Sequence, residues 1–441
     1  MTLAMHPRWG RLRVPTHRAS SATLAGAYPF LAPAPCQLGV PIGTDVITGE
    51  PFCFDPWNLY AAGRLTNPNV ALAGVIGAGK SALAKSLAVR AVAAGRRAYV
   101  PGDPKGEWAP VADALGGVVL RLGPGLPARL NPLDAAASPE DPAGDSAGSS
   151  AGGARVLTAI AETLLARSLR PGERVALDAA VHTATRQGTP QVAAVVAALS
   201  DPDPACSFAD GTLPADRIAD GREVAHGLRR LIRGDLGGMF DGPSTVDLDP
   251  DAPMVVVDLS ALGSDDTAVA VAMTCASAWL ESALAAHHAR SAHHARSDGA
   301  GGRWVIYDEA WRLLRSPALI RRMQAQWKLS RAHGIANLLV LHRLSDLDAV
   351  GSGGSEERAL AAGLLADCST RVIYRQEPDQ LTGIAAALGL TDTERALLPA
   401  LPRGCGLWKL PGASYVAHHR LHGDEAVVYD TDFAMRIGGR S

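Results

Sequence analysis

Lysine is scarce in this 441-residue chain: Lys80, Lys85, Lys105, Lys328 and Lys409 are five of 42 basic residues, the rest being arginine. With 44 Asp and Glu, the formal net charge is −2. That gives no global attraction to nucleic acid, so any such contact needs a local basic patch. The arginine excess, with abundant Ala, Gly and Pro, reads as the mark of a GC-rich genome and not of function. Aromatic residues are only 5% of the chain and form no stacking platform for single strands. The six cysteines (Cys36, Cys53, Cys206, Cys275, Cys368, Cys405) stand far apart and make no C-x-x-C pair. They fit buried thiols in a reducing cytosol, and neither a disulfide framework nor a zinc site. Long apolar runs are missing as well. The best candidate, Thr267 to Leu280, is too short and too rich in Ala, Ser and Thr to cross a bilayer, and reads as a core helix. The N-terminal MTLAMHPRWGRLR is basic but lacks an apolar segment and a cleavage site, so export is not expected.

What is present is a chain that can bury a core: 47% apolar and 20% charged residues, long enough for one large α/β domain with an insertion or for two domains. Residues 1–37 are Pro-, Ala- and Arg-rich without a period and read as a tail or linker. Val40 to Pro56 alternates around the turn-like Thr48-Gly49-Glu50, which predicts a β-hairpin. Then come an apolar run at Val70 to Ala73, a Gly-rich turn and the helical pattern SALAKSLAVRAVAA. Arg97 to Val100 and Gly117 to Leu122 read as strands. Residues 135–153, rich in Gly, Ser, Pro and Asp, predict a flexible loop. Residues 154–243 carry helical periodicity and predict an all-helical insertion. β signals return at Pro253 to Leu259, Arg303 to Glu309, Ala336 to Leu341 and Thr370 to Tyr374. Strands interleaved with helices imply a mostly parallel sheet covered on both faces. The two parts of the sheet domain are 38–134 and 244–432, with a short tail at 433–441.

Gly74-Val75-Ile76-Gly77-Ala78-Gly79-Lys80-Ser81 fits G-x-x-x-x-G-K-[ST] in full, after an apolar strand and at the start of a helix. The glycines let backbone N–H groups curl around phosphates, aided by the helix N-terminus at Ser81-Ala82. In such a loop Lys80 reaches the β- and γ-phosphates of ATP and the Ser81 hydroxyl ligates Mg²⁺. The complementary half is an acidic strand end. Trp304-Val305-Ile306-Tyr307-Asp308-Glu309 supplies Asp308 for the Mg²⁺ water shell and Glu309 as general base for the attacking water. Val255-Val256-Val257-Asp258 has no second carboxylate and reads as a neighbouring strand.

At these residues the chain resembles the type IV secretion and conjugation ATPases, within the FtsK/HerA group of P-loop motors. Several segments carry the resemblance in order: the hairpin GVPIGTDVITGEPFCFD, Asp103-Pro104-Lys105-Gly106-Glu107-Trp108, Leu130-Asn131-Pro132-Leu133-Asp134, Gly237-Gly238-Met239-Phe240-Asp241-Gly242, and Asp308-Glu309-Ala310-Trp311. Together they span about residues 38–432. The resemblance implies a RecA-like P-loop NTPase fold with the inserted all-α subdomain. It also implies ATP and Mg²⁺ as cofactors and a homo-hexamer in which an arginine of the neighbour completes each site. Arg331 stands where that finger is placed; a solvated helix-face arginine is the plainer reading, and Arg371 and Arg375 are rivals. The implied partners are membrane-embedded secretion channel components, with DNA as a candidate, at the cytoplasmic face of the cell membrane. Two departures stand out. Fewer than 40 residues precede the hairpin, where many of these ATPases carry a large N-terminal domain. His342-Arg343 also replaces the usual Thr-Gln after the strand that follows Asp308-Glu309, so Arg343 is the candidate for sensing the γ-phosphate.

His287, His288, His293 and His294 lie in a Gly/Ser/Arg-flanked connection without Cys or carboxylate partners, and read as a loop or frayed helix. Arg222, Arg229, Arg230 and Arg233 recur near helical spacing, as a solvated face or a basic stripe toward DNA or a partner. Three functions stay open: a secretion or conjugation motor, a soluble DNA translocase, and a nucleotide-dependent assembly switch.

Overall fold

The computed structural model describes residues 38–134, 146–188, 190–204, 211–245, 249, 251–292, 302–313, 316–331, 333–341, 356–381 and 388–429. Its centre is one eleven-stranded sheet. In chain order the strands are β1 (Val40–Asp45), β2 (Pro51–Phe54), β3 (Val70–Ala73), β4 (Arg97–Asp103), β5 (Val118–Arg121), β6 (Met254–Asp258), β7 (Arg303–Tyr307), β8 (Ile335–Leu341), β9 (Thr370–Ile373), β10 (Cys405–Leu410) and β11 (Ala413–His419). Across the sheet they run β2-β1-β11-β10-β9-β3-β8-β7-β4-β6-β5. From β9 to β5 neighbours pair in parallel; from β10 outward they are antiparallel.

Sequence explains why the central strands take these places. VALA, MVVVD and RWVIY are buried at every position, as parallel strands covered on both faces must be. Alternate residues of β3 serve opposite faces: Val70 and Leu72 join one apolar cluster, Ala71 and Ala73 the other. The first face packs under α2 (Lys80–Ala93), which buries Leu83, Ala84, Leu87, Ala88 and Ala91. The second is covered by α8 (Asp266–Ala292), which buries Val269, Val271, Met273 and Ala276. Pro51 sits on edge strand β2, where a missing N–H costs no ladder bond.

Between β5 and β6 the chain leaves the sheet for the expected helices: α4 (Ser146–Leu165), α5 (Pro171–Arg186), α6 (Val192–Ser200) and α7 (Pro214–Arg233). Helix α4 begins at Ser146, inside the 135–153 stretch expected to be loop. Its downstream face (Val156, Leu157, Ile160, Ala161) docks in the core, and packing of that kind extends helices through weak formers. Glu173 is nearly wholly buried under Arg167 and Arg170, which hold its carboxyl down at about 2. The arginine stripe of α7 is a solvated face: Arg222, Arg229 and Arg233 are exposed and Arg230 pairs with Asp235 at 2.6 Å. Helix α8 continues through His287 and His288 to Ala292, while His293 and His294 lie outside the described residues. No helix among the described residues is long and apolar enough to cross a membrane.

The hairpin β10–β11 was not anticipated. Its two strands are joined at Pro411-Gly412, and that turn dipeptide could have found it. The remaining described helices are short or flank the sheet: α1 (Pro56–Ala61), α3 (Ala109–Ala114), α9 (Ala310–Leu313), α10 (Pro317–Ser330), α11 (Glu356–Ala366), α12 (Asp392–Leu397) and α13 (Gly423–Val428).

Candidate active site

The phosphate loop leaves the C-terminal end of β3, in the middle of the sheet, and is pinned on two sides. Val75 N–H donates to the carbonyl of Arg375 at 3.0 Å, so β9 continues its ladder into the loop. Gly404 N–H, just before β10, donates to the carbonyl of Ala78 at 2.9 Å. Two glycines are required by backbone shape: Gly77 has φ +77° and Gly79 φ +110°, which other residues adopt only with strain. Gly74 is required by space, since a Cβ there would stand 2.5 Å from Cβ of Tyr374. Lys80 opens α2 and is almost fully buried; its Nζ donates to the carbonyls of Gly74 at 2.6 Å and Val75 at 2.9 Å. The ammonium is thus folded over the loop, where phosphate oxygens are the natural replacement for two carbonyl acceptors. Ser81 and Ala82 follow in the first turn of α2.

Asp308 and Glu309 follow β7, two strands from β3 with β8 between. The loop and both carboxylates therefore lie at the same, C-terminal edge of the parallel strands, where open α/β sheets bind ligands. Both residues are buried. Glu309 has φ +53°, one of two non-glycine residues with positive φ among those described. Strain of this kind persists only where surroundings over-determine it and marks functional positions.

A loop that sequence reasoning assigned no role holds the acidic pair in place. Asp103, at the end of β4, accepts from Trp108 N–H at 2.7 Å. The indole N–H of the fully buried Trp108 donates to Oδ2 of Asp308 at 2.9 Å, and Glu309 N–H donates to Oδ1. Lys105 Nζ lies 2.5 Å from Glu309 Oε1. Glu107 meets Lys85 of α2 at 3.3 Å, tying the same loop to the phosphate-loop helix. Burial pushes the Asp308 carboxyl up, opposed by the Trp108 hydrogen bond. Burial likewise raises Asp103, to about 6, with Asp308 and Asp258 adding to the effect. A cluster of buried carboxylates beside a cationic loop suits Mg²⁺ bound with a polyphosphate, and the donor set (Ser81 hydroxyl, Asp308 carboxylate) is all oxygen, as Mg²⁺ requires. No group of three potential ligands that would hold a metal by itself occurs among the described residues. Two or fewer protein ligands plus phosphates is the usual Mg²⁺ arrangement.

The arginines separate by position. Arg331 is exposed in the turn between α10 and β8, at the opposite edge of the sheet from the phosphate loop. The seven residues of β8 lie between the two edges, about 20 Å at ~3.3 Å per residue. Arg371 is half-buried within β9 and donates to the Leu388 carbonyl at 2.9 Å. Arg375 is exposed beside Val75 at the loop itself. His342 and Arg343 lie outside the described residues, directly after β8.

No family model matches the sequence, and no curated protein does. Solved structures do resemble it. VirB4 of Thermoanaerobacter pseudethanolicus superposes with a TM-score of 0.67 at 21% identity, over 88% of this chain and 98% of that one. The bacterial conjugative coupling protein TrwB, without its first 70 residues, gives 0.56 at 15% identity over 92% of each chain. TrwB with ADP and Mg²⁺ gives 0.55 at 16% identity, over 92% of this chain and 94% of that one. The expected α/β architecture, a mostly parallel sheet with an inserted helical region, is thereby established: over most of its length this chain has the fold of VirB4 and of the conjugative coupling protein TrwB.

Proposed function

We propose that this chain is an ATP-hydrolysing motor of a type IV secretion or conjugation apparatus, acting as a homo-hexamer with its site shared between neighbouring copies. One observation carries the reading: Glu309 is held, at a strained backbone position, on the strand end two places from the phosphate-loop strand. That is where a general base for water attacking a bound γ-phosphate belongs. ATP would sit on the loop from Gly74 to Ala82, and Lys80 would exchange its two carbonyl acceptors for phosphate oxygens. Ser81 and Asp308 would hold Mg²⁺, whose charge offsets that building up on the phosphates. Glu309 takes the proton of the attacking water.

Arg331 lies too far from its own loop to contact phosphate there, so a finger role for it requires a neighbouring copy. Arg375, exposed beside Val75, would act on nucleotide in its own subunit. A shared site makes hydrolysis depend on assembly. Docking on membrane-embedded channel components at the inner face of the cell membrane, and transport of DNA or protein, belong to this reading; likeness in fold to VirB4 and to the conjugative coupling protein TrwB supports it. The test is the steady-state ATPase rate against protein concentration, with Lys80→Ala as control and with or without duplex DNA. A rate per subunit that climbs with concentration, vanishes in Lys80→Ala and falls in Arg331→Ala supports the motor. A rate per subunit independent of concentration and unmoved by Arg331→Ala contradicts the shared site and favours a nucleotide-dependent switch. Strong stimulation by DNA alone favours a soluble translocase.

A further inference from the structure

The segment Asp103 to Trp108 touches the phosphate-loop helix and both residues of the acidic pair. Glu107 pairs with Lys85 of α2, Lys105 with Glu309, and Trp108 with Asp308. Of these contacts the one made by Trp108 is the most constrained. The side chain is fully buried, and its backbone N–H is anchored on Asp103 Oδ2 at 2.7 Å. The indole has a single donor, and it points at Asp308 Oδ2 at 2.9 Å. If the Asp308 carboxylate turned away, two buried groups would lose a partner at once, and each orphaned group costs on the order of 1–3 kcal/mol. Apolar packing alone would be served equally by Phe or Leu. The position holds the one apolar side chain whose ring N–H can reach a carboxylate from within a core.

We propose that Trp108 is a positioning residue for Mg²⁺: it fixes the rotamer of Asp308, so that this carboxylate faces the cation held with the nucleotide. The inference rests on the ATP·Mg²⁺ reading given above. Groups that orient metal-directed carboxylates without touching the ion typically change metal affinity by roughly 10- to 100-fold when removed. Trp108 acts through Asp308 alone, so nucleotide binding without Mg²⁺ does not depend on it.

The experiment uses the full chain and a fluorescent ADP analogue, titrated with Mg²⁺ and separately bound in EDTA. In Trp108→Phe the Mg²⁺ concentration for half-maximal effect rises roughly tenfold or more, while affinity in EDTA stays within twofold of wild type. In the Asp308→Asn background the same substitution has no further effect on the Mg²⁺ midpoint. Equal weakening with and without Mg²⁺ assigns Trp108 to packing and overturns the proposal, as does an unchanged midpoint. Should Trp108→Phe fail to fold, benzothienylalanine at 108 keeps the shape of Trp with sulfur in place of N–H, and the same outcomes apply. If the wild-type chain itself binds nucleotide with no response to Mg²⁺, the ATP·Mg²⁺ reading fails first, and the two failures are told apart.

Discussion

The ammonium of Lys105 lies 2.5 Å from Oε1 of Glu309, joining a half-exposed cation to a buried carboxylate. Exposed pairs contribute little, whereas removing one partner of a buried carboxylate leaves an uncompensated charge. Lys105→Met should therefore lower unfolding stability by about 1 kcal/mol, given that Lys105 is partly solvated. In a Glu309→Gln background the same substitution should cost markedly less. Urea midpoints of the four proteins measure the coupling; equal costs in both backgrounds would mean the contact contributes nothing.

Gly74 and Gly95 make a contrasting pair. A Cβ at Gly74 would stand 2.5 Å from Cβ of Tyr374, a buried neighbour that cannot move without disturbing β9. At Gly95 nothing lies within 4 Å, but φ is +83°. Gly95→Ala should cost only the left-handed backbone penalty, about 1 kcal/mol. Gly74→Ala should cost more and also abolish nucleotide binding, because the loop must shift off β9. Thermal unfolding with nucleotide-binding titrations checks both; retained binding in Gly74→Ala would show the Tyr374 wall is soft.

His419 ends β11, buried next to Arg90 and Glu425. Burial first, then the Arg90 cation, push its imidazole down from 6.5 to about 4. The folded protein thus refuses a proton that the unfolded chain accepts. The neutral imidazole's contribution is complete above about pH 6.5 and is lost as pH falls through about 4, amounting to no more than roughly 3 kcal/mol. His419→Gln should flatten the fall in stability between pH 6.5 and 4. A slope as steep as wild type's in that window would assign the loss to other groups.

The strands of the parallel half were legible because double-sided burial writes itself as unbroken apolar runs, as in VALA, MVVVD and RWVIY. The phosphate loop was legible because the backbone demands glycine at Gly77 and Gly79. Less legible was β10–β11, where Lys409 interrupts the apolar run and pairs with Glu394 of α12 at 2.8 Å. The roles of Lys105 and Trp108 were hidden for a different reason. Their contacts span some 200 residues of sequence and exist only because β4 lies beside β7. No local pattern encodes that adjacency. Arg331 illustrates the limit from the other side: family resemblance made it a candidate finger acting on a neighbour, and only strand direction shows that it lies at the opposite edge of the sheet from its own loop.

Lys80 donates to two loop carbonyls that phosphate oxygens would replace. Charge-assisted hydrogen bonds of that kind contribute about 1.5–3 kcal/mol each. Lys80→Ala should therefore weaken ATP binding at least tenfold, as read by a fluorescent ATP analogue. Unweakened binding would move the nucleotide away from this loop.

The measurement that bears most directly on the account is ATP turnover by Glu309→Gln beside wild type, with binding of a fluorescent ATP analogue measured on the same samples. If Glu309 is the proposed general base, Glu309→Gln should cut turnover by roughly 10²-fold or more while binding is kept within a few-fold. Turnover left intact by Glu309→Gln would contradict the role proposed for Glu309, and with it the proposed hydrolytic site.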